Sequence, residues 1–245
     1  MAEIRLMNLV HSYTTNYVHT NDYAIHEMNH VWEQGGALVL LRPFGCGNSI
    51  LLNIISSLVK SSHGGVDFNG VEVNDVSLQD KIIASIFQFS VIYNSMTVYD
   101  NLAFPLRNMR VFEFQIDAKV NEVADVLEQG CTLQRKAKNL SADQKQKISL
   151  GRGLVRDGIS AILSDDPFRV IDPNFKCKLR RKLKQIHRRY NITILYVIHN
   201  QLEASTFADK IALMYEGKIV QFSTPRELFA NLNHTFVGYF MAAQA

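Results

Sequence analysis

The strongest constraint on the fold is a recurring pair: a short apolar run, then a longer stretch of helical pattern. ALVLL at 37–41, AILSDD at 161–166 and NITILYVIH at 191–199 are such runs. Short β-rich runs that alternate with helices build an α/β domain around a largely parallel sheet. Residues 4–13, 23–32 and 82–90 also read as strands, and 211–223 as a hairpin turning at Glu216-Gly217. Helices are expected at 50–60, at 141–157 with Ser141 as N-cap, at 175–189 and at 201–208. A last helix opens at Thr224 with Pro225 in its first turn. Residues 97–129 read as mainly helical, with Pro105 and 107–110 as a break, and SSHGG (61–65) and Asn69-Gly70 as turns.

Composition narrows the function classes. Of the 245 residues 47% are apolar, enough for a sizeable core. A net charge of +3 is too small to argue for nucleic acid as a partner. The basic run at 178–189 has no interleaved aromatics and reads as a solvated helix face. Cys46, Cys131 and Cys177 are an odd number without CxxC spacing, which argues against a disulfide framework or zinc and fits a reducing cytosol. No signal-peptide layout opens the sequence, and the apolar stretch at 50–59 is too short to span a bilayer. Work at a membrane would need a separate spanning subunit.

Two segments carry phosphate chemistry. Between a strand and a helix lies Arg42-Pro-Phe-Gly-Cys-Gly-Asn48-Ser49, spaced as a GxxxxGK[ST] loop. Gly45 and Gly47 let backbone N–H groups approach a phosphate, and the helix N-terminus behind them adds partial positive charge. Ser49 stands where a hydroxyl binds Mg²⁺. Arg42 replaces the first glycine, and Asn48 replaces the lysine. By itself the segment is better read as a glycine turn before a buried helix. The second segment, AILSDDP, is an apolar strand ending in two carboxylates. Asp165 suits Mg²⁺ held through water, and Asp166 suits a base that orients the attacking water. Read singly, it is also an ordinary acidic turn at a strand end.

Further elements follow in a fixed order: Tyr13, the 42–49 loop, Gln88 in IFQFS, NLSADQKQ at 139–146, Asp165-Asp166, Asp172 in VIDP and His199 in YVIHNQLEA. Together they resemble the ATP-binding-cassette (ABC) transport ATPases over nearly the whole chain. VIYNSMTVYDNLAFPLRN, SADQKQKISLGRGLVR and FADKIALMYEGKIVQFSTPRELF resemble carbohydrate- and polyol-importer subunits in particular. The resemblance implies a P-loop NTPase-type fold: a RecA-like core, an antiparallel β subdomain and a helical signature subdomain at about 90–157. It implies one cassette domain over 1–245, without the C-terminal regulatory domain of many such ATPases.

The same resemblance assigns roles, with ATP and Mg²⁺ as cofactors. Tyr13 stacks on adenine. Phe44, Gly45, Cys46, Gly47, Asn48, Ser49 and Ile50 form the phosphate loop. Ser141 and Gln144 belong to a signature segment that completes the site of a second ATPase subunit. Ser49, Gln88 and Asp165 serve the metal; Asp166, His199 and Gln88 serve catalysis, with His199 sensing the γ-phosphate. Asp172 sits across the dimer interface. Ile92 to Asp100 falls where the family meets a permease, and the protein would sit at the inner face of the cell membrane through that permease.

The departures bear on activity. A lost preorganised contact such as the loop lysine costs roughly 3–4 kcal/mol of barrier. Shortening glutamate to Asp166 shifts the carboxylate, and a misplacement of about 1 Å costs on the order of 100-fold in rate. Ala142 and Asp143 replace the signature glycines, and Asp143 sets a carboxylate near a polyphosphate; some importer subunits resemble this variant, so it reads as a subclass trait more than as damage, and the doubt about activity rests on Asn48 and Asp166. Impaired hydrolysis at this chain's own loop and a heterodimer with a competent partner are therefore expected. The competing reading is a non-hydrolysing binding or scaffold subunit. A DNA-repair or translation ATPase predicts a coiled-coil insertion or tandem cassettes, and the sequence shows neither.

Overall fold

The structure, a computed structural model, describes residues 3–14, 22–41, 48–72, 83–86, 89–159, 161–168, 171–231 and 234–242. The chain divides into two compact units: 1–83 with 160–165 and 186–245, and 84–159 with 166–185.

In the first unit, β1 (Ile4–Ser12), β2 (Tyr23–Trp32), β4 (His63–Phe68) and β5 (Val71–Glu72) form an antiparallel sheet in the order β2-β1-β4-β5. β3 (Ala37–Leu41), the strand between β2 and β4 in sequence, belongs to the other sheet of this unit. The register of β1 shifts around Asn8, which adopts a left-handed φ of 47°. The shift lets Ile4, Leu6 and Leu9 all point into the core. It also explains why SSHGG is not simply a turn: β4 begins at His63, inside it. Gly64 has φ 66°, and a Cβ there would lie 2.1 Å from the Asn8 carbonyl oxygen. Only glycine tolerates that approach, so the Gly-Gly pair marks a bulged strand.

The other sheet is the parallel one. Within this unit β10 (Lys218–Ser223), β9 (Lys210–Tyr215), β3, β8 (Thr193–Ile198) and β7 (Ala161–Asp165) lie in the order β10-β9-β3-β8-β7. The β9-β3-β8-β7 run is parallel and the β10-β9 pair antiparallel. Every residue of β3 and β8 is buried, as strands covered on both faces require. The short strand β6 (Ile83–Ile86) spans the division between the units. Helix α1 (Asn48–Ile55) packs Leu51 and Ile55, both fully buried, into the core beside Leu40 and Val197. It stops at Ile55, short of the expected Lys60, and Ser57 follows with φ 59°. Past α6 (Gln201–Phe207) and α7 (Pro225–Ala230) comes a helix not expected from sequence, α8 (Thr235–Ala242). Tertiary contacts hold it: Phe236 stacks on Tyr215 at 4.0 Å, and Gln201 Nε2 donates to the Phe240 carbonyl at 2.7 Å.

The second unit is helical: α2 (Val98–Asn108), α3 (Glu113–Val126), α4 (Ala142–Leu154) and most of α5 (Pro173–Tyr190). Pro105 lies inside α2 and does not end it. The break falls at Met109 and Arg110, where φ turns positive. Arg107 then joins the two helices, at 3.1 Å from Asp100 and 2.9 Å from Glu113. Gly151 of α4 sits so close to α2 and α3 that a Cβ would come within 2.7 Å of Leu102 and Leu127. No helix among the described residues is long and apolar enough to cross a membrane.

Candidate functional site

Strand register brings together one group of the expected site residues. Leu41 at the end of β3 pairs with Ile198 at the end of β8, and Asp165 at the end of β7 pairs with Val197. The carboxyl ends of three adjacent parallel strands therefore line up. His199 follows Ile198, and Asp165 ends its strand, at the same edge. Ligands of open α/β sheets bind outside this edge. Asp165 and His199 are both half-buried, and Asp166 has φ 40°, a left-handed conformation that costs a non-glycine residue. Arg42, Phe44, Gly45, Cys46, Gly47 and Gln88 lie outside the described residues. Asn48 and Ser49 open α1, and Ile50 behind them is buried. The first turn of α1 holds no acid, so nothing there opposes an anion. A carboxylate and a serine hydroxyl are hard oxygen donors of the kind Mg²⁺ takes alongside nucleotide phosphates.

Tyr13, just past β1, is 77% exposed, leaving its ring free to stack on a planar group. The His11 ring meets it edge-on at 5.1 Å. Burial lowers the His11 pKa and keeps that imidazole neutral at pH 7.

A separate group of the expected site residues lies at the start of α4, within the helical unit. Ser141 caps the helix: its Oγ accepts from the Gln144 N–H at 3.3 Å, while Gln144 Oε1 accepts from the Ser141 N–H at 3.1 Å. This reciprocal capping box satisfies donors that would otherwise be orphaned at the helix start. Asp143 does not stand alone beside it. Its Oδ2 is 3.0 Å from Lys147 Nζ, and that ammonium lies 3.4 Å from the centroid of the Phe175 ring. Sequence reasoning missed Lys147, although an acid four residues before a lysine on one helix is a readable signal. Asp172 Oδ1 accepts from the Phe175 N–H at 3.3 Å, at the start of α5.

Sequence reasoning also missed what fixes the 91–97 segment. Asn101 is fully buried; its Nδ2 donates to the carbonyls of Tyr93 and Thr97, and its Oδ1 accepts from the Tyr93 N–H at 2.8 Å. Val91 is tied to α4 twice. Its N–H donates to Ser149 Oγ at 3.1 Å, and its carbonyl accepts from Arg152 at 2.6 Å.

The comparisons agree with this architecture. The ABC transporter family matches residues 25–169. The sn-glycerol-3-phosphate import ATP-binding protein UgpC of Psychromonas ingrahamii is 35% identical over 245 residues, covering 100% of this chain and 64% of that protein. The oligosaccharides import ATP-binding protein MsmX of Bacillus subtilis is likewise 35% identical, covering 100% of this chain and 66% of its own length. The chain thus spans about two thirds of the curated relatives it matches. Among solved structures, a post-hydrolysis dimer of the ATP-binding cassette MJ0796 with ADP and Pi superimposes with a TM-score of 0.81 at 24% identity, covering 91% of this chain and 99% of that one. CbiO1 of Clostridium perfringens, part of the transporter complex cbiONQ, gives 0.82 at 21% identity over 98% of each chain. With a P-loop NTPase-type fold, and a family match over more than half its length, the chain belongs to the ABC transporter family.

Proposed function

We propose that this chain is the nucleotide-binding subunit of an ABC importer, coupling ATP to uptake of a small solute such as a carbohydrate or polyol. The carrying observation is the whole-length likeness to two import ATP-binding proteins, one named for sn-glycerol-3-phosphate and one for oligosaccharides. Residues 1–245 act as one cassette whose helical part spans about 90–157. The chain works with transmembrane permease subunits at the inner face of the cell membrane. A second ATPase subunit, preferably a different one, completes each site.

Tyr13 gives adenine a face to stack on. The Gly45–Ser49 loop and the α1 N-terminus receive the phosphates, and Ser49, Gln88 and Asp165 hold Mg²⁺. The bound metal supplies charge neutralisation on the phosphates. Asp166 orients the attacking water, and His199 contacts the γ-phosphate. Ser141 and Gln144 face the partner's nucleotide with their helix start already capped, and Lys147 offsets the negative charge that Asp143 brings. The anchoring of Val91 on α4 gives a permease pressing on the segment that follows it a direct line to the signature helix.

Asn48 and Asp166 weaken hydrolysis at the chain's own loop and favour, as the second reading, a non-hydrolysing subunit beside a competent ATPase. Mg-ATP binding and turnover decide, measured on the chain alone and on the combined Arg42→Gly, Asn48→Lys, Asp166→Glu variant. The expected result is binding with little turnover, and a gain of at least about 100-fold in the variant. Robust turnover by the unaltered chain would sink the impaired-site reading. Absence of nucleotide binding in both forms would remove both readings.

A further inference from the structure

The α5 helix is the positive pole of the molecule. Its 18 residues include eight Lys and Arg and no acid. The remainder of the chain then holds 18 Lys and Arg against 23 Asp and Glu, a net of −5. Within the helical unit, α5 and the end of α3 enclose a cleft of about 270 Å³. Val126, Phe175 and Leu179 line it with apolar surface, and Lys178, Arg181 and Gln185 line it with donors. The three donors are spaced i, i+3 and i+7, one face of a helix.

One carboxylate shares the cleft. Glu128 stands 3.6 Å from Lys178. That separation exceeds the roughly 2.7–2.9 Å of a charge-assisted hydrogen bond, so the pair is loosely held and exchangeable. Arg181 is exposed and has no ion-pair or hydrogen-bond partner among the described residues. A monoanion would meet little more than the Arg181 charge. A dianion can engage the Arg181 fork and also draw Lys178 away from Glu128, with Gln185 as a neutral donor. Phosphate monoesters carry close to two charges at pH 7.

We propose that this cleft binds a small phosphorylated organic anion, its phosphate on Arg181 and Lys178 and its carbon body against Phe175 and Val126. The site does not depend on the importer assignment, since it uses none of the nucleotide-site residues. It adjoins the signature helix through Phe175, whose ring carries the Lys147 ammonium paired to Asp143. An occupant that moves Phe175 therefore disturbs Lys147.

The test is residue-resolved NMR of the full chain, titrated separately with phenyl phosphate, inorganic phosphate and phosphatidylglycerol vesicles. Phenyl phosphate is expected to shift the Gln185 side-chain amide, the Val126 and Leu179 methyls and the Lys147 side chain. Inorganic phosphate, lacking the carbon body, should shift the same groups at higher concentration. Arg181→Gln, an exposed change, should weaken phenyl phosphate about tenfold, the loss of one charge-assisted contact. Lys178→Gln repeats the test on the other cation. Shifts confined to residues 42–50, an unchanged Kd in both variants, or no shift at all would overturn the proposal. Vesicle binding without phenyl phosphate binding would assign the basic face to lipid headgroups and overturn it equally.

Discussion

The carboxyl edge of the parallel sheet and the start of α4 place their candidate site residues by opposite means. At the sheet edge, Asp165 and His199 are placed by backbone register between strands buried on both faces, and their positions follow from core packing. At α4, Ser141, Gln144 and Asp143 are placed by side-chain hydrogen bonds and ion pairs at a partly exposed helix end. A register is cooperative and moves only when the sheet breaks. A cap and an ion pair are local, each worth about 1 kcal/mol or less, so the segment they hold is easier to displace. The rigid region carries the groups proposed for chemistry, and the adjustable region carries those proposed to meet a partner's nucleotide.

That contrast can be broken in order of size. Leu40→Ala in fully buried β3 should destabilise the first unit by about 2–5 kcal/mol in denaturant unfolding. If hydrogen exchange in 91–97 rises to the same extent, the two units are one cooperative body and the contrast fails. Asn101→Ala should cost about 1–3 kcal/mol, because the part-buried Tyr93 and Thr97 backbone groups lose the partner that the fully buried Asn101 side chain gives them. Loss of protection at the Tyr93 N–H is the readout, with β3 and β8 unaffected. Ser141→Ala should cost about 1 kcal/mol and Ser141→Asn should restore most of it; equal stabilities would show that the capping box is idle.

The smallest expected effect is one of pH. The Thr97 hydroxyl first, then Arg107, hold the Asp100 carboxyl below its ordinary value of 3.8. Its contribution is fully present above that value and is lost as pH falls through the lower folded value. The stability of the helical unit, followed by its unfolding, should therefore fall in acid below pH 3.8, and Asp100→Asn should flatten that slope.

Much of the fold was legible because its signals are local and periodic. The doubly buried strands, the Ser141 and Thr224 caps and the Glu216-Gly217 turn need only nearby residues to declare themselves. The misreadings share one cause. Gly64-Gly65 looks like a turn until the Asn8 carbonyl, some 56 positions earlier, removes the space for a side chain. Likewise α8 exists through Tyr215 and Gln201, and α2 runs on through Pro105 because buried Leu102 and Leu106 keep it packed on its neighbours, while the break itself falls at 109–110, inside the expected 107–110. In the candidate site, motif order carried the family resemblance although residues 42–49 depart from the GxxxxGK[ST] pattern. The offset of Asp143 by Lys147 came only with the side chains in place.

Sequence alone determined the family resemblance, the order of the proposed site elements and the asparagine at position 48, since these are properties of residue type and spacing. Tertiary structure decided which strand ends share an edge, how Asp143 is neutralised and where α5 leaves Arg181 without a partner among the described residues. Each of these depends on distances between residues far apart in the chain, and only packing sets such distances.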